Sequence, residues 1–156
     1  MNKAIHIAPL VLAAALTACM ADQPDYGAFP EADDPVPAAI TKAQATVTGQ
    51  LALEGLDTHA YDKWSTGWSS GLREAISASA WRPYSEALED QYGDFIELEA
   101  TRLNAAESEG YVRFSFLAEF DRGYLMLVHV YPDDGEQIVG VFIRDAITGE
   151  IPEALR

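Results

Sequence analysis

The amino-acid sequence predicts an α+β fold in which N-terminal helices pack on a four-stranded, antiparallel, curved sheet. Apolar residues recur at helical spacing over the first part of the domain, and from Phe95 onward they recur at every second position. Turn motifs then separate the later strands, at Asp121–Gly123 and at Asp134-Gly135. Helices followed by a strand meander indicate one α+β domain, which we expect over residues 38–150.

Four helices are expected in the first half of this domain. Asp34-Pro35 favours an N-cap and a first helical turn, and Gly55 marks the expected end of the first helix. Between them, apolar residues recur at helical spacing, at Ile40, Ala43, Val47 and Leu51. Shorter helices are expected after Asp57, near Ser69 and from Ser79. Gly93 is the expected stop of the last helix.

The two turn motifs predict how the strands pair. Pairing Phe120 with Tyr124 and Asp133 with Glu136 divides the apolar residues between the two sheet faces. The expected core face carries Val112, Phe114, Phe116, Ala118, Met126, Val128, Val130, Val139, Val141 and Ile143. The expected outer face carries Leu117, Leu125, Leu127, His129, Tyr131, Ile138 and Phe142, with Arg113, Ser115 and Arg144 among them.

This predicted outer face is too apolar to lie in water. A solvated sheet face is normally polar, and large exposed apolar patches usually mark a contact surface. We therefore expect a second copy of the chain to cover it, with a partner protein or the C-terminal segment 147–156 as alternatives. His129 is expected to lie within such a contact or to be half-exposed.

Short motifs in the second half resemble a known family. They are Gly93-Asp94-Phe95, the hairpin from Phe116 to Met126, and the closing stretch from Ile138 to Ile143. Residues 51–143 are similar to uncharacterised bacterial domains with the cone-shaped fold of nuclear transport factor 2, which occur in lipoproteins and in front of α/β-hydrolases. The resemblance implies a bent sheet wrapped by helices, frequent dimerisation and a pocket between helices and sheet. It implies no chemistry.

The N-terminus resembles that of a bacterial lipoprotein. Lys3 precedes an apolar run from Ile5 to Ala18, which is too short to span a bilayer and suits a signal peptide over residues 1–18. The run ends in Leu16-Thr17-Ala18-Cys19, which resembles a lipobox and implies acylation of Cys19. Residues 19–37, with four prolines and several acids, are expected to form the lipidated cysteine and a disordered tether.

Composition excludes several kinds of function. A formal charge of −15 argues against binding nucleic acid. Cys19 is the chain's one cysteine, so disulfides, thiol catalysis and cysteine–metal sites are excluded from the domain. Only His59 and His129 follow the signal segment, too few for a histidine-based metal site. We expect no cofactor and no metal.

Two further sets of residues are candidates for a site. Aromatic residues of the helical half could line a pocket or could pack in the core, at Tyr61, Trp64, Trp81 and Tyr84. Arg113 and Arg144 are possible anion ligands, although we expect Glu97, Glu99 or Glu119 to pair with them. No nucleotide loop, nucleophile elbow or zincin motif is present.

These observations predict a lipid-anchored protein of the cell envelope, with its domain in the periplasm. The absence of aspartate after Cys19 favours the outer membrane in a Gram-negative cell. The domain is expected to be non-catalytic and to dimerise, or to bind a protein or a small apolar ligand. The alternative is a small isomerase or lyase that uses a pocket inside the cone.

Overall fold

The structure is a computed structural model, and it describes residues 26–156. It contains four helices and four strands: α1 (Lys42–Asp57), α2 (Tyr61–Trp64), α3 (Ser70–Ala75), α4 (Ala78–Tyr92), β1 (Phe95–Ala105), β2 (Tyr111–Phe120), β3 (Gly123–Pro132) and β4 (Gly140–Asp145). A short 3₁₀ helix, Glu153–Leu155, follows. The strands form one antiparallel, curved and unclosed sheet in the order β1-β2-β3-β4. The predicted α+β fold is confirmed.

The predicted signal peptide and Cys19 lie outside the described residues. Within residues 26–156, no helix combines the length and the apolar character that a membrane span requires. The structure therefore bears on the domain alone.

Helix α1 begins later than the sequence suggested. Thr41 and Gln44 form a capping box, in which the Gln44 N–H donates to Thr41 Oγ1 at 3.2 Å and the Thr41 N–H donates to Gln44 Oε1 at 3.0 Å. Asp34 is therefore not the N-cap. The helix then continues without a break through Gly49, which is buried against the sheet.

Helix α4 ends where the sequence indicated. Gly93 adopts a φ of 77°, and its N–H donates to Glu89 O at 2.7 Å. A side chain would be strained at this φ, and a Cβ there would lie 2.7 Å from Cβ of Asp121. Gly93 thus lets the chain leave α4 and enter β1 beside the β2–β3 turn.

The predicted register of β3 is wrong by one residue. Phe120 pairs with Gly123 rather than with Tyr124, so the other side of β3 faces the helices. Four residues predicted on the outer face, Leu125, Leu127, His129 and Tyr131, are at most 1% exposed in the helix-facing core. Four residues predicted on the core face lie on the outer face or at its rim instead: Met126, Val128, Val130 and Val139.

Contacts to α4 explain this register. The Arg122 N–H donates to Tyr92 O at 2.9 Å, and the Arg122 side chain donates to the carbonyls of Glu89 and Asp90, both at 2.8 Å. The Asp121 N–H donates to Asp94 O at 3.0 Å. These bonds hold Asp121 and Arg122 as the tip of the hairpin, which shortens the turn from the predicted three residues to two.

The β3–β4 connection also departs from the predicted tight hairpin. Ile138 pairs with the loop before α3, because its N–H donates to Gly67 O and its carbonyl accepts from the Ser69 N–H, both at 2.9 Å. β4 consequently begins at Gly140, which pairs with Val130. Ile138, predicted on the outer face, is fully buried.

Residues 26–37 pack on the sheet, contrary to the predicted disordered tether. The Asp34 N–H donates to Leu103 O at 2.8 Å, and the Leu103 N–H donates to Asp33 Oδ1 at 2.8 Å. The Ala105 N–H donates to Asp34 Oδ2 at 3.0 Å. The two aspartates therefore satisfy donors along the free edge of β1, which would otherwise be open to pairing.

A groove on the outer face of the sheet

The outer face of the sheet is apolar, as predicted, but its residues differ from those predicted. Of the predicted set, Leu117 and Phe142 do lie there. Arg113, Ser115 and Arg144 also lie there, as predicted, and the observed register adds Met126, Val128 and Val130 from β3. An apolar sheet face of this kind is normally covered by another part of the chain or by a partner.

The chain's own N-terminal segment covers the half of this face nearest the β2–β3 turn. Leu117, Met126 and Val128 form a second apolar cluster with Ala146, against which Tyr26, Ala28 and Phe29 pack. The Tyr26 and Tyr124 rings meet edge to face at 5.0 Å between centroids. The predicted C-terminal cover is not found, since the 3₁₀ helix packs on α4 and the Ala154 N–H donates to Gln91 Oε1 at 2.9 Å.

The other half of the outer face is an open groove of about 480 Å³. β3 supplies its floor through Met126, Val128 and Val130. Its rims are formed by the β1–β2 loop and Tyr111 on one side and by β4 on the other: Ala106, Glu107, Ser108, Val139, Phe142 and Arg144. The volume is typical of small-molecule sites, which run from ~300 to ~1,000 Å³. We call this feature the outer groove.

Exposed apolar side chains make the outer groove accessible. Phe142 is 51% exposed, Tyr111 43% and Val139 39%. Gly140 lies between the floor and the β4 rim, where the absence of a side chain leaves space beside Val130. An open apolar surface of this kind marks a contact or ligand site more often than chance exposure.

Two arginines at the outer groove lack the carboxylate partners that the sequence suggested. The ion pairs among residues 26–156 involve neither Arg113 nor Arg144. Nε of Arg113 is buried and has no hydrogen-bond partner in the described part of the chain. The groove therefore contains two guanidinium groups without an ion pair among residues 26–156, although Glu107 also lines it.

The expected partners lie together elsewhere. Glu97, Glu99 and Glu119 bring one carboxylate oxygen each within 4.8 Å of one another, near the β2–β3 turn. Burial raises the pKa of Glu99, as do a hydrogen bond to Glu119 and the charges of Glu97 and Glu119. The prediction that these glutamates pair with Arg113 and Arg144 is therefore wrong. The register places the glutamates at the opposite end of β2 from Arg113, and β3 separates them from Arg144 on β4.

The predicted aromatic pocket divides into core and surface. Trp64 and Trp81 are buried and stacked at 6.0 Å between centroids, and Tyr61 meets Trp81 edge to face at 5.8 Å. Tyr61 Oη also donates to Ile76 O. Tyr84 is 51% exposed, so it does not share a site with the other three.

His129 lies in the helix-facing core rather than on the outer face. Its ring is fully buried, packs on the Phe116 ring at 5.0 Å, and has no hydrogen-bond partner for either nitrogen within residues 26–156. Burial lowers the pKa of His129 to about 3, so the ring is neutral near pH 7. The expected role in an exposed contact is therefore wrong.

A serine, a histidine and a glutamate form a chain that sequence reasoning missed. His59 Nδ1 lies 3.0 Å from Ser85 Oγ, and His59 Nε2 lies 2.7 Å from Glu89 Oε2. No local sequence motif indicates this arrangement, because His59 lies far from α4 along the chain. Ser85 is fully buried and donates to Arg82 O at 2.9 Å, so its hydroxyl is closed to a substrate. The three side chains tie the α1–α2 loop to α4.

Comparisons with known proteins show a similar fold but assign no function. No protein-family model matches the sequence, and no curated protein matches it significantly. A solved structure with a similar fold is the "NMR structure of protein from Ruminococcus gnavus ATCC 29149". It shares 17% identity at a TM-score of 0.50, over 69% of this chain and 94% of that one. At this identity the likeness concerns the fold alone.

Proposed function

We propose that this protein is a lipid-anchored, non-catalytic binding protein of the cell envelope, and that the outer groove is its binding site. The observation that carries the binding role is the groove itself: an open apolar cavity edged by the exposed side chains of Phe142 and Val139, with two arginines in its lining. The anchor is supported by the sequence at Leu16–Cys19. In a Gram-negative cell the domain would lie in the periplasm at the outer membrane.

The docked segment 26–37 shortens the tether that the anchor hypothesis assumes. Six residues, 20–25, separate the lipidated cysteine from Tyr26, so the two are seven residue steps apart. A fully extended chain spans at most ~3.3–3.6 Å per residue, so the domain would stay within about 25 Å of the acylated cysteine. The binding site is thereby kept near the membrane surface.

The polar residues on the helix-facing side of the sheet support a packing role and argue against the isomerase or lyase alternative. His129 and Tyr131 do project toward the helices, as such an enzyme would need. Both are at most 1% exposed, and their rings pack on Phe116 and Phe114. A general base must reach the proton it removes, and a base without access to solvent or substrate does not.

The anchor is tested by Cys19→Ser in cells fed an alkyne-tagged fatty acid. We expect the wild-type chain to take up the tag and to stay in the membrane pellet after a carbonate wash. The variant should carry no tag and should leave the pellet. A tagged variant, or one that stays bound after the wash, would show that the lipobox interpretation is wrong.

The state of the outer face is tested by static light scattering of the full-length protein. A ligand-binding groove predicts a monomer, since Tyr26 and Phe29 already cover half of the face. A second copy of the chain is the alternative occupant of the open half. A dimer that dissociates on Phe142→Ser would favour that alternative over a ligand.

A further inference from the structure

We infer that the outer groove binds a single-chain anionic amphiphile, such as a fatty acid, with its head at Arg113 and its chain along β3. This inference rests on the groove being the binding site, as proposed above, and adds the class of ligand. It draws on three independent features: the apolar floor, the arginines without a carboxylate partner among residues 26–156, and the position of the polar rim residues.

The floor suits an unbranched hydrocarbon chain. Met126, Val128 and Val130 are alternate residues on one face of β3, so they form an aliphatic strip that extends about 3.4 Å per residue. The N-terminal segment packs on Met126 and Val128, so the strip is most open at Val130. Phe142 flanks this strip on β4, opposite Val128. Each methylene that leaves water contributes to affinity, so a chain of ten carbons gains affinity here even when it stays partly exposed.

Arg113 is placed to bind the anionic head. It lies beside Val130, at the end of the strip that the N-terminal segment leaves open. Its buried Nε lacks an acceptor within residues 26–156, and a donor in this state costs stability that a bound carboxylate would recover. Ser108 and Tyr111 line the same rim and add hydroxyl donors. Guanidinium geometry favours carboxylates.

The charges at the two rims differ in role. Arg144 pairs with Met126 across the sheet, so it lies near the other end of the strip and attracts anions without holding the head. Glu107 also lines the groove and opposes an anion. We therefore expect Arg113→Gln to weaken binding about tenfold, the loss of one charge-assisted hydrogen bond, and Arg144→Gln to weaken it less. Glu107→Gln should strengthen binding.

The test uses the full-length protein in nanodiscs with a photoreactive, alkyne-tagged fatty acid as probe. Peptide mapping should place the label on residues 126–130 and on Phe142, and free decanoate should remove it. Decanol should need at least tenfold higher concentrations, and acetate should not compete. Arg82→Gln, on α4 and away from the groove, is the matched control and should label and compete like wild type.

A space-filling variant separates loss of the site from loss of the fold. A Cβ at Gly140 would lie 3.4 Å from Val130 Cβ, which is ordinary contact, so Gly140→Val fits the strand and occupies the groove. We expect its label to disappear while its thermal midpoint is kept. Equal competition by decanol, competition by acetate, or unchanged labelling in Gly140→Val would overturn the inference. Those results concern the ligand, whereas the Cys19→Ser experiment concerns the anchor, so the two failures are distinguishable.

Discussion

The imidazole of His129 shows how one buried polar group sets a pH dependence. In the folded chain its pKa is lowered from 6.5 to about 3 by burial. Between those pH values the unfolded chain binds a proton that the folded chain does not. The free energy of unfolding is therefore unaffected by this ring above pH 6.5. Between pH 6.5 and about pH 3 it falls by about 1.4 kcal/mol for each unit by which the pH is lowered.

Replacing this ring is expected to stabilise the protein. His129→Leu removes a buried donor that has no partner among residues 26–156, which should raise the free energy of unfolding by ~1–3 kcal/mol at pH 7. The advantage over wild type should grow by about 1.4 kcal/mol per pH unit from pH 6 to pH 4. Urea unfolding at several pH values measures both. A constant difference between the two proteins would show that the ring is hydrated or protonated in the fold.

Gly49 illustrates a residue whose smallness matters more than its helix propensity. A Cβ at this position would lie 2.5 Å from two carbons of the Phe116 ring, which is fully buried. We expect Gly49→Ala to lower the free energy of unfolding by ~1–3 kcal/mol, because overpacking outweighs the ~1 kcal/mol gain in helix propensity. Gly71 is the matched control, since nothing lies within 4 Å of its Cβ position in α3.

Gly49 and Gly71 differ in the space around their Cβ positions, so alanine should affect stability differently at the two sites. Gly71→Ala should leave stability unchanged or raise it by up to ~1 kcal/mol. Gly49→Ala combined with Phe116→Leu should recover part of the loss, because the smaller side chain relieves the clash. Thermal unfolding of the four proteins distinguishes close packing from a general cost of changing glycine.

At the scale of elements, strand β3 marks the limit of prediction from the sequence. Its residues are apolar on both faces, from Leu125 to Tyr131, so alternation alone does not say which face meets the helices. β2 and β4 carry a clearer contrast, and Phe116, Val141 and Ile143 do lie on the predicted face. The register of β3 depends instead on bonds between the β2–β3 turn and α4, which no local pattern encodes.

The docked N-terminal segment was missed for a related reason. Its prolines and acids have the composition of a solvated tether. Asp33 and Asp34 instead accept hydrogen bonds from the free edge of β1, and Tyr26 and Phe29 cover part of the outer face. The aromatic pair was the one signal in the sequence. For the same reason the outer groove could not be predicted from the sequence. Its floor depends on the observed register of β3, and its boundary depends on where the N-terminal segment packs.

Asp33 and Asp34 should protect two amides at the free edge of β1 from hydrogen exchange. The Leu103 N–H donates to Asp33 Oδ1 and the Ala105 N–H to Asp34 Oδ2. Asp33→Ala with Asp34→Ala should speed hydrogen exchange at both amides by about tenfold or more, since each bond is charge-assisted. Glu31→Ala is the control, because Glu31 contributes its carbonyl and not its carboxylate, accepting from Arg102 Nε at 3.3 Å. Equal protection in all three proteins would contradict this.

A low pH should open the same edge. The pKa of Asp33 is lowered from 3.8 by its hydrogen bond to Lys42, then by the bond from the Leu103 N–H, while burial opposes these. A carboxyl with a lowered pKa stabilises the fold above its unfolded value, and that contribution is lost as the pH falls below 3.8. On acidification, the Leu103 amide should therefore lose its protection from hydrogen exchange before the amides at the centre of the sheet do.

For the whole molecule, the charge of −15 predicts net self-repulsion. The four Lys or Arg ion pairs among residues 26–156 are exposed, and such pairs contribute ~0–1 kcal/mol each. Because acids outnumber bases by 25 to 10, repulsion should outweigh these pairs. Raising the ionic strength from about 0.01 M to 0.15 M shortens the Debye length from ~30 to ~8 Å, and the thermal midpoint should rise.

Two single-charge variants decide whether repulsion or pairing dominates. Glu99→Gln removes a charge from the cluster with Glu97 and Glu119, where the carboxylate oxygens lie within 4.8 Å. It should raise the midpoint at low salt, with a smaller gain at high salt. Glu86→Gln changes the net charge equally but breaks the 2.8 Å pair with Arg82, so it should gain less or lose stability. Equal shifts in both would mean that total charge alone governs stability, whereas a fall in the wild-type midpoint on adding salt would mean that the ion pairs prevail.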